Sequence, residues 1–317
     1  MSELSLPEMR TFLSRSMSSI NQNKLRGTLA EIDFRNHLNE LGFSGRVSPG
    51  GWIARRKGPD VFGHATVALF PEIVLPGWAL PSDRVMPNPS YGLHTICATF
   101  HQSGIAGFHC AATIAESHDA SSLSWSAVQL GLPVAQLYHP LVEAIAPLQF
   151  TTRHRTYNYL RYHTNAALIP DEAVPEEFSK EHLRVAFNTT YRAEMSDIDG
   201  IFWGQQHTYP IEIKEKTPAP SSDLGPFFGL DVGPFVKLAF YAAKRGNLHS
   251  LYVVREIDNE NARNLVQWWY ITFDHMAQFA SWFSQGGGTG MGGGRSAVVR
   301  IPKSEFRPLT PESLNAL

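Results

Sequence analysis

The sequence predicts an α/β protein in which a central mixed sheet is flanked by helices and interrupted by a large β-rich insertion. Three observations carry this expectation. Helical and strand-like patterns alternate along both ends of the chain, the order expected of a sheet with helices on both faces. Residues 196–217, SDIDGIFWGQQHTYPIEIKEKT, contain two strand-like runs around a short polar loop. Between Val61 and Thr152 the only Lys or Arg is Arg84, and the acidic residues are Glu72, Asp83, Glu116, Asp119 and Glu143. So few charges do not suit a free-standing, fully solvated module.

Taken in order, residues 24–41 read as a helix that follows Asn residues and stops at Gly42, a residue favoured just past a helix end. The middle holds short apolar runs, VALF, TICATF and AATIA, which read as mostly β. TICATFHQSGIAGFHCAATIA reads as a hairpin turning at Gln102-Ser103-Gly104. A short helix is expected over 176–186, then strands over 192–203 and 208–216. A helix over 234–245 begins with Pro and ends before Gly246, positions those residues favour. Strands over 250–257 and 266–273, a helix over 275–283, a Gly-rich loop and a strand over 296–301 complete the reading. The expected division is a helical part at 1–60, a β-rich recognition or dimerisation lobe at 61–184, and the main core at 185–317.

Composition narrows the partners. The chain has 317 residues, 27 Lys+Arg and 29 Asp+Glu, a formal net charge of -2, and 43% hydrophobic residues. This is ample for a core and unlike a disordered or collagenous chain. A near-neutral balance excludes a broadly basic coat for nucleic acid, since phosphate binding depends on accumulated Lys and Arg. No apolar run approaches membrane-spanning length and no export signal is seen, so no membrane is expected. Two cysteines, Cys97 and Cys110, are too few for a disulfide framework and suit a reducing, cytoplasmic setting.

The hairpin carries the chemistry. With its loop centred between Gln205 and Gln206, Asp199 lies opposite Glu212, and Lys214 shares their face because strand side chains alternate. Opposed carboxylates repel one another unless a cation sits between them. A hard ion such as Mg²⁺, with Mn²⁺ as a substitute, prefers such oxygen ligands. With a phosphate present, the metal polarises a phosphoryl oxygen and activates water while the lysine stabilises developing charge. Metal-dependent phosphodiester hydrolysis is the predicted reaction.

An Asp, about a dozen residues, then Glu-x-Lys after an apolar strand resembles the PD-(D/E)xK phosphodiesterase superfamily of restriction-endonuclease-like nucleases. The matching residues are Asp199, Glu212 and Lys214. Such families also place a glutamate in an early helix, and RGTLAEIDFRNHLNELGF offers Glu31. The resemblance implies a restriction-endonuclease-like core, a Mg²⁺-dependent deoxyribonuclease, double-stranded DNA as partner and a homodimer or higher homo-oligomer, since cutting both strands requires two sites. A type II restriction endonuclease is expected. The alternatives are a structure-specific or phage-defence nuclease, and a non-catalytic DNA-binding protein that keeps the fold.

Other constellations compete. Asp60 and Glu72 repeat the acidic spacing, but Val74 stands where the lysine belongs. Cys97, His101, His109 and Cys110 are zinc-ligand types without knuckle spacing and read as packing residues. In TTRHRTYNYLRYHT, strand alternation would align Arg153, Arg155, Tyr157 and Arg161 as a DNA-contacting stripe. GGGTGMGGGRS lacks the Lys-Ser/Thr ending and following helix of a phosphate loop.

Overall fold

The computed structural model describes residues 4–17, 22–56, 66–74, 91–113, 120, 123–134, 136–157, 164–244, 246–286 and 295–317. In chain order the elements are α1 (Leu6–Ser16), α2 (Asn23–Glu40), β1 (Val47–Arg56), β2 (Thr66–Val74), α3 (Tyr91–Gln102), β3 (Ala106–Thr113), β4 (Ser126–Leu130), β5 (His139–Pro140) and α4 (Leu141–Ile145). There follow α5 (Val174–Thr190), β6 (Ala193–Trp203), β7 (Thr208–Lys216), β8 (Phe227–Asp231), α6 (Val232–Ala242), β9 (Leu251–Ile257) and β10 (Leu265–Thr272). The chain closes with α7 (Phe273–Phe279), β11 (Ser281–Gly286), β12 (Arg295–Pro302), β13 (Arg307–Pro308) and α8 (Pro311–Asn315). None of the described helices is long and apolar enough to cross a membrane.

The chain divides into two compact units, one of residues 1–25 and 50–198, the other of 26–49 and 199–317. The breaks fall after residues 25, 49 and 198, where the charge distribution suggested breaks after 60 and 184. The first unit orders its strands β1-β2-β3-β4-β5. Only β2 and β3 are parallel, joined by α3, and the other pairs are antiparallel. Helix α5 covers one face, where Trp52 Nε1 donates to the Lys180 carbonyl at 2.8 Å. Helix α1 packs on α5 through Phe12 and Phe178, an edge-to-face pair with centroids 5.2 Å apart. Helix α3 covers the other face, with the Phe70 and Phe100 rings stacked at 6.2 Å.

The second unit orders its main sheet β6-β7-β9-β10-β13 and adds a small sheet β8-β12-β11. Again one pair is parallel, β7 with β9, joined through α6, while the others are antiparallel. The two units therefore repeat one order of pairings: antiparallel, parallel across a helix, antiparallel, antiparallel. The expected mixed sheet with helical flanks is present in each. Strand alternation sorts the two faces of the second unit. Ile211, Ile213, Leu251 and Val253 pack against Ala30, Phe34 and Leu38 of α2. Tyr252, Val254 and Ile271 point the other way, into Phe228, Leu230, Leu238, Val299 and Ile301 of β8, α6 and β12.

Several expectations need correcting. The stretch read as a hairpin around Gln102-Ser103-Gly104 is helix α3 followed by β3. Its buried residues Leu93, Ile96, Cys97 and Phe100 recur at i, i+3, i+4 and i+7, a helical stripe that also reads as a short β run. Gly104, with φ 76°, ends α3: its N–H bonds to the His101 carbonyl while that of Ile105 reaches Phe100, the Schellman arrangement. The middle of the chain is thus helical as well as β. Residues 153–157 form no strand: Thr152 makes one isolated bridge to Tyr191, and 158–163 lie outside the described residues. The Gly-rich run lies largely outside them too; β11 and β12, on either side of it, pair antiparallel.

Candidate metal centre

Hairpin β6–β7 has the register expected of it. Gly200 pairs with Ile211 and Trp203 with Thr208, which sets Asp199 opposite Glu212. The ladder stops there because the Asp199 carboxylate takes over: its Oδ2 accepts the Ile213 N–H at 2.7 Å. Asp199 is 3% exposed and Glu212 1%, so both carboxylates sit in a medium that penalises unpaired charge heavily. They lie on the face covered by α6 and the small sheet, because Glu212 pairs with Tyr252 and Lys214 with Val254 in the parallel ladder.

Two lysines meet Glu212. Lys214 Nζ is 2.6 Å from Oε1, and Lys237 Nζ, from α6, closes on Oε2. Apart from that ion pair, Oε2 is buried without a hydrogen-bond partner. Asp197 lies two residues before Asp199 on β6, and the carboxylate oxygens of Asp197, Asp199 and Glu212 lie within 4.8 Å of one another. Among the described residues no other three His, Cys, Asp or Glu side chains converge so closely. An all-carboxylate set fits a hard divalent cation such as Mg²⁺ and not a soft one. Lys216, further along the same face, is held below its ordinary pKa by burial and by Lys214, against the pull of Asp231.

The structure thus brings together Asp199, Glu212 and Lys214. Glu31 is outside the converging group: it belongs to α2, whose Ala30, Phe34 and Leu38 pack on the opposite sheet face. Sequence reasoning missed Asp197 and Lys237. Asp197 was within reach of the same alternation that placed Lys214. The signal for Lys237 is that it is the only charged residue in α6, VGPFVKLAFYA.

The competing constellations resolve differently. His109, 1% exposed, holds Glu72 Oε2 at 2.8 Å through Nε2 and the Tyr138 hydroxyl at 2.6 Å through Nδ1. Asp60 lies outside the described residues. Cys97 and Cys110 are buried free thiols whose pKa values burial pushes up, away from the thiolate that zinc requires. In the proposed DNA-contacting stripe, Arg153 Nε donates to the Asn188 carbonyl at 2.8 Å, capping the last turn of α5. Tyr157 accepts a hydrogen bond from Arg184 at 2.8 Å. Both are thus engaged in holding α5; Arg155 is exposed and Arg161 lies outside the described residues.

The second unit also contains a cavity of about 300 Å³ at the loop end of the hairpin, lined by His207, Tyr209, His249, Asp274, His275 and Glu305 among others. Burial and the neighbouring His249 hold His207 below its ordinary pKa, against the pull of Asp274. None of the three converging carboxylates lines this cavity. Comparison with models of known families, with curated proteins and with solved structures found no match.

Proposed function

We propose that the chain is a metal-dependent deoxyribonuclease with a restriction-endonuclease-like core, acting on double-stranded DNA and most simply understood as a type II restriction endonuclease. The observation that supports this most is the meeting of Asp199 and Glu212, buried and opposed, with Lys214 on Glu212. Asp199, Glu212 and Asp197 hold Mg²⁺ or Mn²⁺. The bound ion supplies charge to a phosphoryl oxygen and acidity to a coordinated water. Lys214, fixed by Glu212 and 34% exposed at its side chain, orients the attacking water and stabilises charge growing on the phosphate. Water adds to phosphorus, the ester P–O bond breaks and the leaving oxygen takes a proton. Cutting both strands calls for two such sites, hence a homodimer.

One observation favours a second reading, a DNA-binding protein that keeps the fold without cutting. Both Glu212 oxygens already face ammonium groups, so the charge of this ligand is offset without metal. Incubation of plasmid DNA with Mg²⁺ or Mn²⁺ separates the two. The wild type is expected to cleave, and Asp199→Asn and Lys214→Ala to lower the rate by on the order of 10²-fold or more. Discrete fragments identify restriction, whereas smearing or preferential cutting of branched DNA identifies a defence or structure-specific nuclease. A wild type inert on all DNA and RNA, or variants as active as wild type, would sink the catalytic reading.

A further inference from the structure

We infer that Lys237 is a positioning residue that holds the place of the metal ion and couples its binding to that of a substrate phosphate. This rests on the reading of Asp199 and Glu212 as metal ligands. The two lysines on Glu212 are not equivalent. Lys214 comes from the same strand and is 34% exposed, while Lys237 reaches in from α6 and is 12% exposed. Its partner atom, Glu212 Oε2, is buried, and this ion pair is what meets it.

Charge counting supplies the argument. Three carboxylates, Asp197, Asp199 and Glu212, converge here, and two ammonium groups, both on Glu212, offset all but one of their charges. A buried carboxylate left unpaired is strongly unfavourable, and Lys237 removes that penalty. A divalent ion arriving at Glu212 Oε2 meets an ammonium in its way and leaves one positive charge in excess. A phosphodiester brings negative charge to the same place and gives the displaced Lys237 a new partner. Metal and phosphate therefore bind cooperatively, and by linkage each raises the affinity of the other by the same factor. Lys237 is well placed for this because α6 packs directly on β7, so a small swing of its flexible stem changes partners without moving the helix.

The test is Mn²⁺ binding followed by its electron paramagnetic resonance signal, with and without a short DNA duplex bearing non-cleavable phosphorothioate linkages. Wild type, Lys237→Met, Lys237→Arg and Asp199→Asn are compared. Without DNA, Lys237→Met is expected to bind Mn²⁺ about tenfold more tightly than wild type, because a repelling charge has gone. DNA is expected to tighten Mn²⁺ binding by wild type and Lys237→Arg but to have little effect on Lys237→Met. Equal or weaker binding by a folded Lys237→Met overturns the inference while leaving the metal site intact. Should that variant not fold, the absence of any DNA effect on wild type or on Lys237→Arg overturns it equally. If wild type binds no Mn²⁺ even with the DNA duplex present, or Asp199→Asn binds it as well as wild type, both the inference and the metal-site reading fall.

Discussion

Glu181 shows how a buried charge is kept at the level of one residue. It is 3% exposed, receives Lys24 Nζ at 2.6 Å and Arg184 Nε at 2.9 Å, and belongs to the first unit. Burial pushes its carboxyl up, but the Lys24 charge and the Arg184 hydrogen bonds overcome this and hold it below the ordinary value. A lowered carboxyl pKa stabilises the fold above its unfolded value of about 4.5, and that stability is lost as pH falls through the folded value. Denaturant titrations across the acid range should show this slope in wild type and its loss in Glu181→Gln. At neutral pH the variant should be less stable by about 3 kcal/mol, since two cations are left without their partner. An unchanged acid slope would refute the assignment. The same residue scale separates what the sequence disclosed from what it hid. Asp199, Glu212 and Lys214 were legible because one hairpin brings them together, and hairpin register follows from alternation and loop length. Lys237 was not, because its partner comes through a parallel crossover that local patterns do not encode.

Elements were legible where punctuation was strong. Strand β7 spans Thr208–Lys216 as expected, and α2 spans Asn23–Glu40, with Gly42 at φ 84° just beyond it. Helix α3 was misread because an apolar run of its length suits strand and helix alike, and only its packing against β3 decides between them. That packing is close enough to test. A Cβ on Gly107 of β3 would lie 2.6 Å from Cys97 Sγ, 2.9 Å from Cys97 Cβ and 3.3 Å from Cys97 Cα. Gly107→Ala should therefore destabilise the protein by about 1–3 kcal/mol through overpacking. The loss should be smaller by about 1 kcal/mol in a Cys97→Ala background, where the nearest of those atoms is gone. A double-mutant cycle in urea checks this, and equal losses in both backgrounds would show that α3 yields freely. Strand β8 escaped notice for a related reason: Phe227–Asp231 has only five residues and pairs with β12, far along the chain.

At the scale of the molecule, the charge-poor middle suggested an insertion between two halves of one core. The contacts define two units of like strand pairing, the second assembled from residues 26–49 and 199–317 on either side of 50–198. No sequence period signals the likeness, since the pairings recur while the side chains do not. Helix α2 supplies Ala30, Phe34 and Leu38 to the core behind Ile211 and Ile213, so residues 199–317 alone should lack cooperative unfolding, and adding a 26–49 peptide should restore it. Circular dichroism melts of the fragment with and without the peptide decide this, and a sharp melt of the fragment alone would contradict it. The split also orders events on the ribosome. Residues 26–49 emerge early, yet the strands they cover come only after the whole of 50–198 has been made. Until then the apolar side of α2 has no surface of its own unit to rest on, which makes this helix the natural place for a chaperone to hold the growing chain.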